Sequence, residues 1–173
     1  CDYYPNGGVY GQLYSANFIP TGSEFLIFQS EGLYANPVVT GLDNGRFVVA
    51  WNSEHLYKES DIFAQVFDAS GFMVGSEILV NTYTLSSQRE ASITALTDGG
   101  FVIAWESSVQ DDVFAQIFNA NGNKIGSEFI INSYTTSDQE NVSISALNNG
   151  GFVATWQSGS YEDIHAGMFL PMP

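Results

Sequence analysis

What the chain lacks removes several classes of explanation. It has one cysteine, Cys1, so no intrachain disulfide can form and the fold must rest on packing. It has 4 lysines and arginines against 19 aspartates and glutamates, a formal charge of -15. Such a surface repels nucleic acid phosphates and anionic lipid headgroups, which excludes nucleic acid as a partner and leaves cations and neutral sugars. No apolar run approaches the ~20 residues that cross a bilayer as a helix, so no transmembrane segment is expected. Helical patterning is missing as well, since no stretch sustains apolar residues at spacings of three and four.

What remains is apolar mass and repetition. At 173 residues, 45% hydrophobic and 14% aromatic, the chain can bury a core and is read as a single domain, 1–173. Phe101-Val102-Ile103-Ala104-Trp105 is echoed by Phe47-Val48-Val49-Ala50-Trp51 and by Phe152-Val153-Ala154-Thr155-Trp156. Gly-Ser-Glu recurs at 22, 75 and 126, and Gln12, Gln65 and Gln116 keep the same steps of 53 and 51 residues. Alternate residues of a strand point to opposite faces, so the Phe-to-Trp strand is apolar on both. It needs cover on both sides.

Each repeat reads as four strands. The first carries small residues, as in Ser92 to Leu96, and ends at Asn44-Gly45, Asp98-Gly99 or Asn149-Gly150, dipeptides that close tight hairpins. The second is the Phe-to-Trp strand. The third is Ile62 to Phe67 and its equivalents, and the fourth is Glu77 to Val80 or Glu128 to Ile131. The predicted fold is all-β, with repeated four-stranded antiparallel blades in a propeller-like stack: a partial blade at 9–30, blades at 36–81 and 91–132, and a partial blade at 142–169. A β-trefoil shares the arithmetic of three repeats of four strands and stands as the alternative. Closed propellers have about four to eight blades, so closure within one chain is not expected. Its blade faces and strand edges point to further repeats, or to homo-oligomers and filaments.

The run Ile62-Phe63-Ala64-Gln65-Val66-Phe67-Asp68-Ala69-Ser70-Gly71, then Val74-Gly75-Ser76-Glu77-Ile78-Leu79-Val80-Asn81-Thr82, then Leu96-Thr97-Asp98-Gly99-Gly100-Phe101-Val102-Ile103-Ala104-Trp105 resembles a tandem repeat of roughly fifty residues in large bacterial secreted and surface proteins. Its usual wording is close to I-Y-A-Q-R-F-D-A-x-G-x-x-V-G-x-E-F-x-V-N-T followed by A-L-x-D-G-G-F-V-V-x-W. The Arg usual after the Gln is replaced by Leu13, Val66, Ile117 or Met168, and the last repeat has His165 and Gly167 in place of the aromatic and the Gln. The resemblance implies an adhesin-like, cell-surface setting and a non-enzymatic role, with no particular ligand.

The residues themselves carry no catalytic signature. There is no Gly-x-Ser-x-Gly elbow, phosphate-binding glycine loop or Cys/His cluster, and the chain is not expected to be an enzyme. Most acids fall at one end of the expected stack. Asp61, Asp112 and Asp163 share one repeat position, and with Asp111 and Glu162 they are the candidate metal ligands, since Ca²⁺ takes about six to eight oxygens from acids and carbonyls. A solvated acidic rim is the competing reading. His55, Tyr57 and Lys58 lie in a loop three residues longer than its counterpart and are the candidate contacts for a partner or ligand. The repeated glutamines are expected to bond neighbouring backbone. Cys1 matches the lipid-bearing residue that cleavage of a lipoprotein signal leaves, with the start of a fragment as the competing reading. The expected function is an extracellular structural or adhesive repeat module that self-assembles. A lectin-like module binding glycans is the alternative.

Overall fold

The computed structural model describes residues 7–29, 35–54, 59–159 and 163–169. The strands are β1 (Gly8–Tyr14), β2 (Pro20–Gln29), β3 (Val38–Gly41), β4 (Phe47–Glu54), β5 (Ser60–Phe67), β6 (Met73–Leu79), β7 (Gln88–Ala95), β8 (Phe101–Ser107), β9 (Asp112–Phe118), β10 (Lys124–Ile130), β11 (Gln139–Ala146), β12 (Phe152–Ser158) and β13 (Asp163–Phe169). They form four antiparallel sheets: β1-β2, β3-β4-β5-β6, β7-β8-β9-β10 and β11-β12-β13. The chain is therefore all-β. A β-trefoil would pool strands from every repeat into one barrel, whereas among the described residues the sheets stay separate and none closes on itself.

The doubly apolar strand explains how the sheets lie against one another. Phe101, Ile103 and Trp105 of β8 share a buried cluster with Val48, Ala50, Ile62 and Ala64 of the second sheet. The opposite face, Val102 and Ala104, is buried with Val142, Ile144, Phe152 and Trp156 of the fourth. Trp51 and Phe67 pack with Val9 and Ile27 of the first. All three tryptophans are buried between sheets, each burial contributing at least the ~1.5–3 kcal/mol of a large apolar side chain. Within each sheet the second strand's aromatics stack on the third's: Phe47 on Phe67 at 5.0 Å, Phe101 on Phe118 at 4.9 Å and Phe152 on Phe169 at 4.8 Å between ring centroids.

Small first strands let the sheets approach closely. The Ser92 and Thr94 hydroxyls of β7 accept hydrogen bonds from the backbone N–H groups of Ile144 (3.1 Å) and Ala146 (3.2 Å) of β11. A larger side chain at either position would remove the acceptor and force the strands apart.

The repeated Gly-Ser-Glu sits inside the fourth strand instead of before it. Gly22, Gly75 and Gly126 have φ of 74°, 75° and 67°, a left-handed conformation that favours glycine. The ladder slips there by a bulge, between Gly11 and Leu13, Ala64 and Val66, and Ile125 and Phe129. The repeated glutamines fill the gap. Gln65 Nε2 donates to the carbonyls of Val66 (2.8 Å) and Val74 (3.1 Å), Gln116 Nε2 to those of Ile117 (2.9 Å) and Ile125 (3.1 Å), and Gln12 Nε2 to those of Leu13 (2.9 Å) and Thr21 (3.3 Å). The amide makes up for ladder bonds that the bulge breaks.

Candidate functional site

β9 and β13 open on Asp112 and Asp163, and Asp61 is the second residue of β5; Asp61 and Asp112 each have a partner not marked by the spacing of the acids. Asn81 Nδ2 donates to Asp61 Oδ1 at 2.7 Å and to the Tyr83 carbonyl at 3.0 Å, while Asn81 Oδ1 accepts the Ile62 N–H at 2.8 Å. Asn132 repeats the arrangement with Asp112 Oδ1 (2.6 Å), the Tyr134 carbonyl (2.9 Å) and the Val113 N–H (2.8 Å). Both asparagines and Asp112 are buried, and Asp61 is half-buried. The clasp ties the end of the fourth strand to the start of the third, where ladder pairing has ended. Its sequence signal is the Asn of Val80-Asn81-Thr82 and Ile131-Asn132-Ser133, twenty residues beyond its aspartate.

The other candidate ligands do not converge on these two. Asp111 is exposed, has a φ of 52°, and its carbonyl accepts the Gln139 N–H at 2.9 Å, linking the third and fourth sheets. Asp163 begins β13 opposite Ser158. Asp61 and Asp112 belong to different sheets. Among the described residues no group of three or more His, Cys, Asp and Glu is arranged to hold a metal ion. Glu162 and the loop residues His55, Tyr57 and Lys58 lie outside the described residues, as does Cys1.

A second polar network crosses between sheets. Glu106 of β8 is buried; its Oε1 accepts the Asn141 N–H of β11 at 2.6 Å, and its Oε2 lies 3.6 Å from Arg89 Nε. Burial pushes its carboxyl above the ordinary glutamate value, and the Glu90 and Glu140 charges push the same way. The Asn141 N–H and the Arg89 guanidinium pull it down. Beside it, Trp105 Nε1 donates to Gln88 Oε1 and Trp156 Nε1 to Gln139 Oε1, both at 3.0 Å. Trp51 Nε1, buried likewise, finds no partner among the described residues. These polar groups fix sheets and indoles in place.

The outer faces of the array differ from its interior. Ile164 and Met168 of β13 are 81% and 65% exposed. They stand at the repeat positions of Ile62 and Val66 in β5, which are fully buried against the third sheet. At the other end, Tyr10 and Tyr14 of β1 are 58% and 63% exposed, at the positions of Phe63 and Phe67. Each end thus leaves open a face that the interior sheets cover, the Ile62 and Val66 face at β13 and the opposite, Phe63 and Phe67 face at β1.

The fold is that of an all-β protein made of four antiparallel sheets. No family model and no curated protein matches the chain. Among solved structures it is similar to a protein of unknown function from Dyadobacter fermentans DSM 18053, at 9% identity and a TM-score of 0.44 over 78% of this chain. The match spans 65% of that protein's length.

Proposed function

We propose that this chain is a non-enzymatic structural and adhesive repeat module of a secreted or cell-surface protein, its blades forming a propeller-like stack that continues into copies of itself or into further repeats. The observation that carries this reading is the open face of β13. Ile164 and Met168 are exposed where the repeat elsewhere buries Ile62 and Val66, and large contiguous apolar surface marks an interaction site. Covering that face with another sheet would recover roughly 1.5–3 kcal/mol for each large side chain buried. The resemblance of the repeat to modules of bacterial surface proteins supports the extracellular setting. A further support is that the buried carboxylates Glu106 and Asp112 are engaged in holding strands, as suits a structural role.

Sedimentation velocity across a concentration series, with electron microscopy of the concentrated sample, tests the proposal. The expected result is concentration-dependent growth that Ile164→Asp abolishes. A chain that stays monomeric at the highest concentration would overturn self-association.

A further inference from the structure

Among the described residues β1 pairs only with β2, whereas its equivalents β5, β9 and β13 each pair with a second strand of the Phe-to-Trp type. Beside the unpaired edge of β1 lies a groove of about 450 Å³, whose walls include Val9 and Leu13 from β1 and Val39, Phe47 and Val49 from the second sheet. The repeat shows what such a space holds. Val39 is 64% exposed, while Ile144, at the same repeat position in the fourth sheet, is 8% exposed because a complete sheet precedes it. Tyr14 and Tyr10 stand open where Phe67 and Phe63 are stacked by Phe47 and Trp51. In each case the uncovered residue is one that a preceding second strand would cover.

We propose that this edge and groove form an acceptor for one extended strand of the chain's own Phe-x-x-x-Trp chemistry, contributed by another repeat of this kind. The strand would add antiparallel to β1 in the register of β4 on β5, where Phe47 faces Phe67 and Trp51 faces Phe63. Its Phe then stacks on Tyr14 and its Trp on Tyr10. The two small residues between them, like Val102 and Ala104 of β8, turn into the groove against Val39 and Val49. Backbone pairing along an open edge supplies affinity, and the side-chain spacing supplies selection. The proposal rests on the repeat-module reading for the identity of the occupant, and it uses a surface separate from the β13 face.

The test is titration of the full chain into a dye-labelled peptide of the β8 sequence Gly100–Ser107, flanked by lysines for solubility and followed by fluorescence anisotropy. The expected result is saturable one-to-one binding, weakened about tenfold or more when the peptide's Phe and Trp are replaced by Ser, the loss of both aromatic stacking pairs. Tyr14→Ser and Val39→Asp in the chain should weaken it similarly. Both positions are exposed, so each variant should melt as cooperatively as the parent. Ile164→Asp, at the opposite end, should leave peptide affinity unchanged. Hydrogen exchange should show the β1 amides gaining protection when peptide is bound. Absence of saturable binding, equal binding of the Ser peptide, or indifference to Val39→Asp would each overturn the acceptor. If the chain self-associates but takes up no peptide, the acceptor fails and the β13 contact stands. If it binds peptide while remaining monomeric, the acceptor stands and self-association fails.

Discussion

Replacing Asn132 by alanine separates a structural origin for the repeated aspartate from an ionic one. The change deletes three hydrogen bonds at once, from the Val113 N–H, to Asp112 Oδ1 and to the Tyr134 carbonyl. Val113 and Asp112 are both buried, so water cannot readily replace what is lost. An orphaned buried N–H costs about 1–3 kcal/mol, and the carboxylate loses a charge-assisted bond worth about 1.5–3 kcal/mol. With partial relaxation the expected destabilisation is about 3 kcal/mol, or a Tm lower by ~6–12 °C for a domain of this size. Urea unfolding should show a lower midpoint at unchanged slope. Asp112→Asn, which keeps an acceptor for the Asn132 amide, should cost roughly 1 kcal/mol, and exposed Asp111→Asn less still. Addition of a chelator should leave every curve in place, because the clasp needs no ion. If Asn132→Ala shifts the midpoint by less than about 1 kcal/mol while chelator alone destabilises the parent, the aspartates are cation ligands and the clasp reasoning is wrong.

Two more perturbations follow from the buried polar groups. Glu106 has a raised carboxyl pKa in the folded state, so the native protein binds more protons than the unfolded chain. The stability held by the protonated form is therefore full below the unfolded value near 4.5 and is lost as pH rises through the folded value. Glu106→Gln, which still accepts the Asn141 N–H, should flatten that decline and leave stability at neutral pH equal or higher; a steeper decline than the parent's in a pH series of melts would contradict this. Trp105→Phe orphans Gln88 Oε1 in the interior, whereas Trp51 Nε1 has no described partner to leave behind. Trp105→Phe should thus cost about 1–2 kcal/mol more than Trp51→Phe, and equal losses in denaturant unfolding would refute the distinction.

The sheets were legible because the second strand carries a constraint that few arrangements satisfy. Phe101-Val102-Ile103-Ala104-Trp105 is apolar at period two on both faces, so it requires a neighbour on each side, and the clusters on either side of β8 supply them. The positive-φ turns were legible for a similar reason: Gly99 and Gly150 adopt φ of 86° and 89° where Asp98-Gly99 and Asn149-Gly150 mark them. Gly-Ser-Glu misled, because a glycine that opens a bulge within a strand looks in sequence like one that ends a turn. First strands also begin earlier than their small residues suggest. β7 reaches back to Gln88 and β11 to Gln139 through a second irregularity, with Glu90 and Asn141 at φ of 50° and 58°. The clasps escaped notice because an aspartate and an asparagine twenty residues apart meet only after two strands and a bulged turn are in place. The acids alone do not mark the pair, because the partner of each is a neutral amide.

The sheets have unlike faces, and this constrains any assembly they make. The face of the third sheet turned to its predecessor carries Phe101, Trp105, Phe114 and Phe118; the face turned to its successor carries Val102, Ala104, Val113 and Ala115. Large packs on small, as interiors near crystal density require. Two copies meeting through the same face on a two-fold axis would set aromatic against aromatic, or methyl against methyl, leaving overlap in one case and a void in the other. Only head-to-tail contact preserves the interdigitation. The chain's two ends have the matching characters, with Tyr10 and Tyr14 exposed at one and Ile164, Ala166 and Met168 at the other. Association through these faces must then be directional, closing into a ring if the rotation between successive copies returns to its start and running on as a filament if it does not.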